Sequence, residues 1–240
     1  LFIRNAPQDM GFSPVNEAQQ GRAPASSPGL MKALGKVLTC RHIWFAFLLC
    51  GCSAAAFLAL SGAWGISYLQ DVFGFHARGA SMVVSWCVFG SMAGTLSMGC
   101  LSDRLGRRKL PMIALCLVSL ATWIPLVFGS AELLPRWLLS PLFFVLGFSA
   151  SSFILGWAIT KEASSPAYTG IAVAVVNSGT FLATALLTTG MGSVIDMYAS
   201  FPVEVQYQRA FLLCLLSALL ALVGGALLPE TWCRNVESSR

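Results

Sequence analysis

Six stretches of this chain are apolar for about as long as a helix needs to cross the roughly 30 Å hydrocarbon core of a bilayer, some 20 residues. They cover residues 43–69, 77–101, 110–129, 137–159, 168–192 and 210–228. Turn residues and charges fill the gaps between them: "QDVFGFHARG", "SDRLGRRK", "SAELLPR", "TKEASSPA" and "DMYASFPVEVQYQR". Helices are the expectation, because backbone polar groups in lipid must be satisfied within their own segment. The alternating pattern of a membrane β-barrel does not occur in these runs.

Composition points the same way. The chain is 56% hydrophobic and 10% charged, against about 25% charged in soluble domains. A soluble fold could not hide so much apolar surface, whereas a bilayer can. The expected fold class is therefore all-α and integral to a membrane, with six transmembrane helices. Residues 1–40, rich in Pro, Ser and Ala around "APASSPG", read as a linker, 41–229 as the six-helix unit and 230–240 as a tail. The chain begins at Leu1 rather than at Met, which leads to the expectation of a fragment of a longer polypeptide.

Six spans put both chain ends on one side of the membrane, and basic residues decide which side that is. The shared side holds Arg4, Arg22, Lys32, Lys36, Arg41, Arg104, Arg107, Arg108, Lys109, Lys161, Arg234 and Arg240, the other only Arg78, Arg136 and Arg209. An imbalance of 12 to 3 among the 15 bases predicts cytoplasmic termini in the cell (inner) membrane. The net charge of +5 is then a topology signal, so the expected partner is the lipid bilayer and no nucleic acid is expected.

The densest charge lies in "GCLSDRLGRRKL", residues 99–110, between the second and third spans. A topology anchor would need bases in any order. This segment instead has Gly99 at a helix end, Asp103 four residues on, Gly106 for the turn, and Arg107 with Arg108 opening the next helix. The order resembles the loop signature of the major facilitator superfamily, G-x-L-x-D-R-x-G-R-[RK], at Gly99, Leu101, Asp103, Arg104, Gly106, Arg107 and Arg108. In that family the motif follows the second helix of a six-helix repeat, and two such halves enclose a substrate site near mid-membrane. The resemblance implies a conformational latch in which Asp103, with Arg104 and Arg107, stabilises the outward-facing state. A carboxylate there can meet bases and a helix N-terminus.

Further resemblances suggest the C-terminal half, helices seven to twelve. "RNAPQDMGF", residues 4–12, is similar to a central-loop segment of bacterial members, and "LPETWCRN", residues 228–235, to a P-E-T element beyond the last helix. "GAWGISYL", residues 62–69, is similar to the end of the seventh helix in bacterial organic-anion and nutrient permeases. The resemblance implies a secondary transporter of a small solute (an organic anion, sugar or other nutrient), with proton coupling as the usual mode. The missing N-terminal six-helix half is then the expected partner, within the same polypeptide.

Intramembrane acids or bases would be the first functional candidates. Asp71, Glu162 and Asp196 all fall at span ends or in loops, so a coupling carboxylate is expected in the other half. Asn177, Thr180, Thr184 and Thr188 recur every three or four residues on the fifth span, one stripe that either lines a cavity or knits helices together. Trp64 and Tyr68, four apart on the first span, form either an interfacial belt or an outer gate, and Trp157 has the same two readings. Substrate contacts are expected at Asn177, Thr180, Trp64 and Tyr68. Gly90 and Gly94 read as a close-packing site. The eight cysteines and two histidines show no ligand spacing, so no metal, cofactor or enzymatic chemistry is expected. A transporter-like membrane sensor and a half-size carrier acting as a homodimer are the alternative readings.

Overall fold

The computed structural model describes residues 30–234, and every regular element among them is helical. Helix α1 (Leu30–Leu38) precedes the bundle. The first span comprises α2 (Arg41–Leu58), a wider π-turn over Ala59–Trp64, and α3 (Gly65–Phe73). The second and third spans are α4 (Ala77–Leu105) and α5 (Lys109–Phe128). The fourth is a broken helix, α6 (Arg136–Ala150) and α7 (Ser152–Glu162), followed by α8 (Thr169–Met197) and α9 (Val203–Leu227). These make six helices long and apolar enough to cross a membrane, as the apolar runs predict.

The helices outrun the apolar runs at several ends. Gly99 lies within α4 rather than at its end, and the helix stops where Gly106 takes a φ of 62°. That left-handed backbone carries no Cβ penalty for glycine and turns the chain toward α5. α9 begins at Val203, upstream of Ala210, because Pro202 opens it and Tyr207 and Phe211, one turn apart, are both buried. In the region expected as linker, α1 forms because Ala33 and Val37, also one turn apart, bury against the bundle.

α2 is the central helix, packed on α7, α8 and α9. α4 and α6 approach so closely that a side chain at Gly90 would strike the Phe144 carbonyl, and one at Gly147 the Cys87 carbonyl. Small residues permit such contacts in membrane helices, so the Gly90–Gly94 pair serves packing inside the bundle. The break in the fourth span falls at Ser151, whose hydroxyl donates to the Phe148 carbonyl at 2.7 Å. Ser53 of α2 braces the break at 2.7 Å from Ser152.

Buried apolar side chains form two clusters. One, toward the end away from the termini, includes Trp123, Phe143 and Phe211; the other, toward the termini, includes Ile43, Leu49, Met112 and Leu155. The first span buries 61% of its most apolar stretch but the second and fifth only 28% each, so α4 and α8 turn broad apolar faces outward. The loops away from the termini are pinned to the bundle. Arg136 Nη2 donates to the Phe73 carbonyl at 2.5 Å, Ala131 N–H to Glu204 at 2.6 Å, and the Tyr207 hydroxyl to Asp71 at 2.7 Å.

Candidate functional site

At the opposite end, the loop between α4 and α5 is organised around Arg108. This residue precedes α5, whose first N–H groups have no partner within the helix. The N–H groups of Arg108 and Lys109 donate to the two oxygens of Glu230 at 2.8 and 3.1 Å. A carboxylate at a helix N-terminus also meets the positive end of the helix dipole. Glu230 belongs to the segment that follows α9, so this cap ties the chain's end to the loop.

The Arg108 guanidinium meets a second set of partners. Nη1 lies 2.5 Å from Asp103 Oδ1, and Nε and Nη2 both donate to Glu162 Oε1, at 3.1 and 2.9 Å. The second oxygen of Glu162 accepts from the Thr231 hydroxyl. Ser102 accepts from Nη1 at 3.1 Å and donates to the Arg107 carbonyl at 3.0 Å. Arg108, Glu162, Asp103 and Glu230 thus join the ends of α4, α5 and α7 to the post-α9 segment.

Exposure separates the two ion pairs. The Arg108 and Glu162 side chains are 12% and 15% exposed, whereas Asp103 is 64% exposed. Charge-assisted bonds gain strength as water is excluded, so Glu162 is the stronger partner. Burial pulls the Arg108 pKa down, but the hydrogen bonds and charge of Glu162, with Asp103, more than offset this and leave it raised. The cation is permanent.

The remaining motif residues occupy different places. Arg104 is exposed and forms no ion pair among the described residues. Arg107 stacks its guanidinium 5.1 Å from the Trp232 ring centre, and Trp232 and Cys233 both have left-handed backbones, with φ of 53° and 56°. The hub arginine is therefore Arg108, with Glu162, Glu230 and Thr231 as partners that the motif alone did not single out. A usable signal was present: Glu162 is the one acid in "TKEASSPA", and Glu230 the acid of the P-E-T element.

The four residues expected at substrate do not share one site. Asn177 lines an open groove of about 370 Å³ with Trp157, Val173 and Ala174. The Trp157 Nε1 is buried without a hydrogen-bond partner among the described residues. Thr180 is 7% exposed, and its hydroxyl also has no partner among the described residues. Thr184 and Thr188 donate to carbonyls of their own helix at 2.7 and 2.8 Å, which satisfies them without any ligand. Trp64 reaches α8 about 16 Å further along the axis, where its Nε1 donates to the Thr188 carbonyl at 3.3 Å. Tyr68 is 4% exposed, with its ring packed against Phe73, Tyr207 and Phe211. Among the described residues no group of three or more His, Cys, Asp or Glu could hold a metal. The segment at residues 4–12 lies outside the described residues.

A six-helix apolar bundle with one end gathered around a loop arginine has the build of a membrane transporter domain. The chain belongs to the Major Facilitator Superfamily, whose family model matches residues 11–235. It is a multi-pass membrane protein of solute transport, and its six apolar helices fit one half of the family's fold. A comparison with curated proteins finds no match.

Proposed function

We propose that this chain is the C-terminal half of a secondary transporter that moves a small organic anion, sugar or other nutrient by alternating access, coupled to protons. The observation that carries this reading is the Arg108 hub. Arg108, Glu162 and Glu230 lock the ends of α5 and α7 and the post-α9 segment into one base. Asp103 leans on that base from an exposed position, with Arg104 and Arg107 beside it. An exposed carboxylate next to a fixed cation can be shared with a second body when the cytoplasmic side closes, and released when it opens. Asp103 and Arg104, in the last turn of α4, and Arg107, just past the turn that Gly106 makes, are the residues that make and break that contact, and Arg108 holds that turn in place.

The termini lie in the cytoplasm, as the distribution of bases supports. The groove at Asn177 and Trp157 is one wall of the solute path. The other wall and the coupling carboxylate belong to the N-terminal six helices of the same polypeptide. The test has two parts. An antibody against "PETWCRNVESSR" should detect a native polypeptide about twice the 25.6 kDa of this chain. Cells producing it should accumulate at least one solute from a panel of labelled organic anions, sugars and other nutrients, and a protonophore should abolish that accumulation. A native product of 25.6 kDa with no uptake would overturn the reading.

A further inference from the structure

We propose that α1 is an interfacial helix that docks the headgroup of an anionic phospholipid, an interaction independent of which solute is carried. The helix has three faces. Ala33 and Val37 are buried against the bundle. Met31, Leu34 and Leu38, at helical spacing, form an apolar stripe in which Met31 is 78% and Leu38 37% exposed. Lys32 and Lys36, one turn apart and both exposed, form the third face.

Cys40, in extended backbone, breaks the axis between α1 and α2, so α1 does not simply lengthen the first span. Trp44 then continues the apolar stripe into that span: it is 48% exposed, and its Nε1 donates to the Leu38 carbonyl at 2.9 Å. A tryptophan at such a junction marks the level of the lipid headgroups.

Charge selects the occupant. Lys32, Lys36 and Arg41 are exposed bases, and no Asp or Glu occurs anywhere between Glu17 and Asp71. The Lys36 ammonium lies 5.0 Å from the Tyr168 ring centre, and Lys36, His42, Ser165 and Tyr168 are among the residues lining a small crevice. The crevice measures about 20 Å³, room for one water or one phosphate oxygen. An apolar stripe next to cations that form no ion pair among the described residues, continuous with a membrane-spanning surface, matches acyl chain and phosphate together. Free phosphate would leave the stripe in water, and another protein surface would have to bring acids that can reach Lys32 and Lys36.

Native mass spectrometry of the full chain in mild detergent, titrated with phosphatidylglycerol, tests this. The expected result is a retained lipid whose apparent affinity falls at least fivefold in Lys32→Gln/Lys36→Gln and in Met31→Gln/Leu38→Gln. The same charge change at the far end, Arg78→Gln/Arg209→Gln, should alter it less than twofold. Phosphatidylcholine should bind at least fivefold more weakly, and millimolar inorganic phosphate should not displace the lipid. Unchanged retention in both α1 variants, equal binding of phosphatidylcholine, or displacement by phosphate would overturn the proposal. If the lysine variant fails to fold, the apolar variant and the comparison of lipids on the unaltered chain still decide it.

Discussion

Arg108 donates through both Nε and Nη2 to a single oxygen of Glu162, at 3.1 and 2.9 Å, across the gap between α5 and α7. Glu162 uses its other oxygen for Thr231, so one side chain at the end of the fourth span fastens both the loop and the segment after α9. That pair joins the ends of α5 and α7.

Glu162→Gln should therefore destabilise the protein. Removing one partner of a largely buried pair leaves the other uncompensated, at a cost of about 2–4 kcal/mol. Asp103→Asn should cost less than about 1 kcal/mol, because its carboxylate is mostly in water. Thermal unfolding in detergent separates the two. Equal losses would remove the distinction drawn between the two acids.

Cys233 reports on the same charged cluster. Burial raises its thiol pKa, Arg108 lowers it, and Glu162, Asp103 and Glu230 raise it again, leaving it net raised. The thiol donates to the Ser102 carbonyl at 3.6 Å. Because the raised pKa keeps the thiol protonated, maleimide labelling at neutral pH should be slow and should still be climbing above the pH where an ordinary thiol levels off. The linkage has the matching sign: the stability gained from the protonated thiol is present below its unfolded pKa and lost as pH rises through the folded value. Arg108→Gln should release the segment and speed labelling severalfold despite removing a cation, an outcome that electrostatics alone would not produce.

Close packing between α4 and α6 gives a stability prediction. Gly147→Val drives a side chain into the Cys87 carbonyl and should cost more than about 2 kcal/mol, seen as loss of the monodisperse peak on size exclusion. Gly170→Ala, with open space around the added carbon, should keep that peak.

The groove on the fifth span is tested by accessibility. With the native cysteines replaced, Asn177→Cys should react with a water-soluble thiol reagent, because the residue lines an open groove. Thr180→Cys, at a position 7% exposed, should stay protected. Equal labelling would place the fifth span's polar stripe differently from this account.

The spans were legible because membrane insertion depends on the length and hydropathy of a segment, and both are local properties. Their ends were less so. The residues "VEVQYQR" are polar enough to read as loop, yet Tyr207 packs inward and carries α9 out to Val203. α1 was hidden for the same reason, since two small buried contacts at Ala33 and Val37 decide it. Around the α4–α5 turn, the sequence shows where the charge is concentrated but not how it pairs. Arg104, Arg107 and Arg108 are equivalent in charge, and only the positions of Glu162 and Glu230, brought from 54 and 122 residues away, select Arg108. The Trp64–Tyr68 spacing is likewise blind to what lies opposite. Tyr68 meets three aromatic rings in the bundle core, and Trp64 meets a backbone carbonyl of α8.

The measurement that bears most directly on the latch is the initial uptake rate of the Asp103→Asn variant of the full-length protein, normalised to the amount in the membrane. The account predicts a fall of tenfold or more, about 1.4 kcal/mol in the rate-limiting step, with the membrane level unchanged. An unchanged rate at the same membrane level would contradict it.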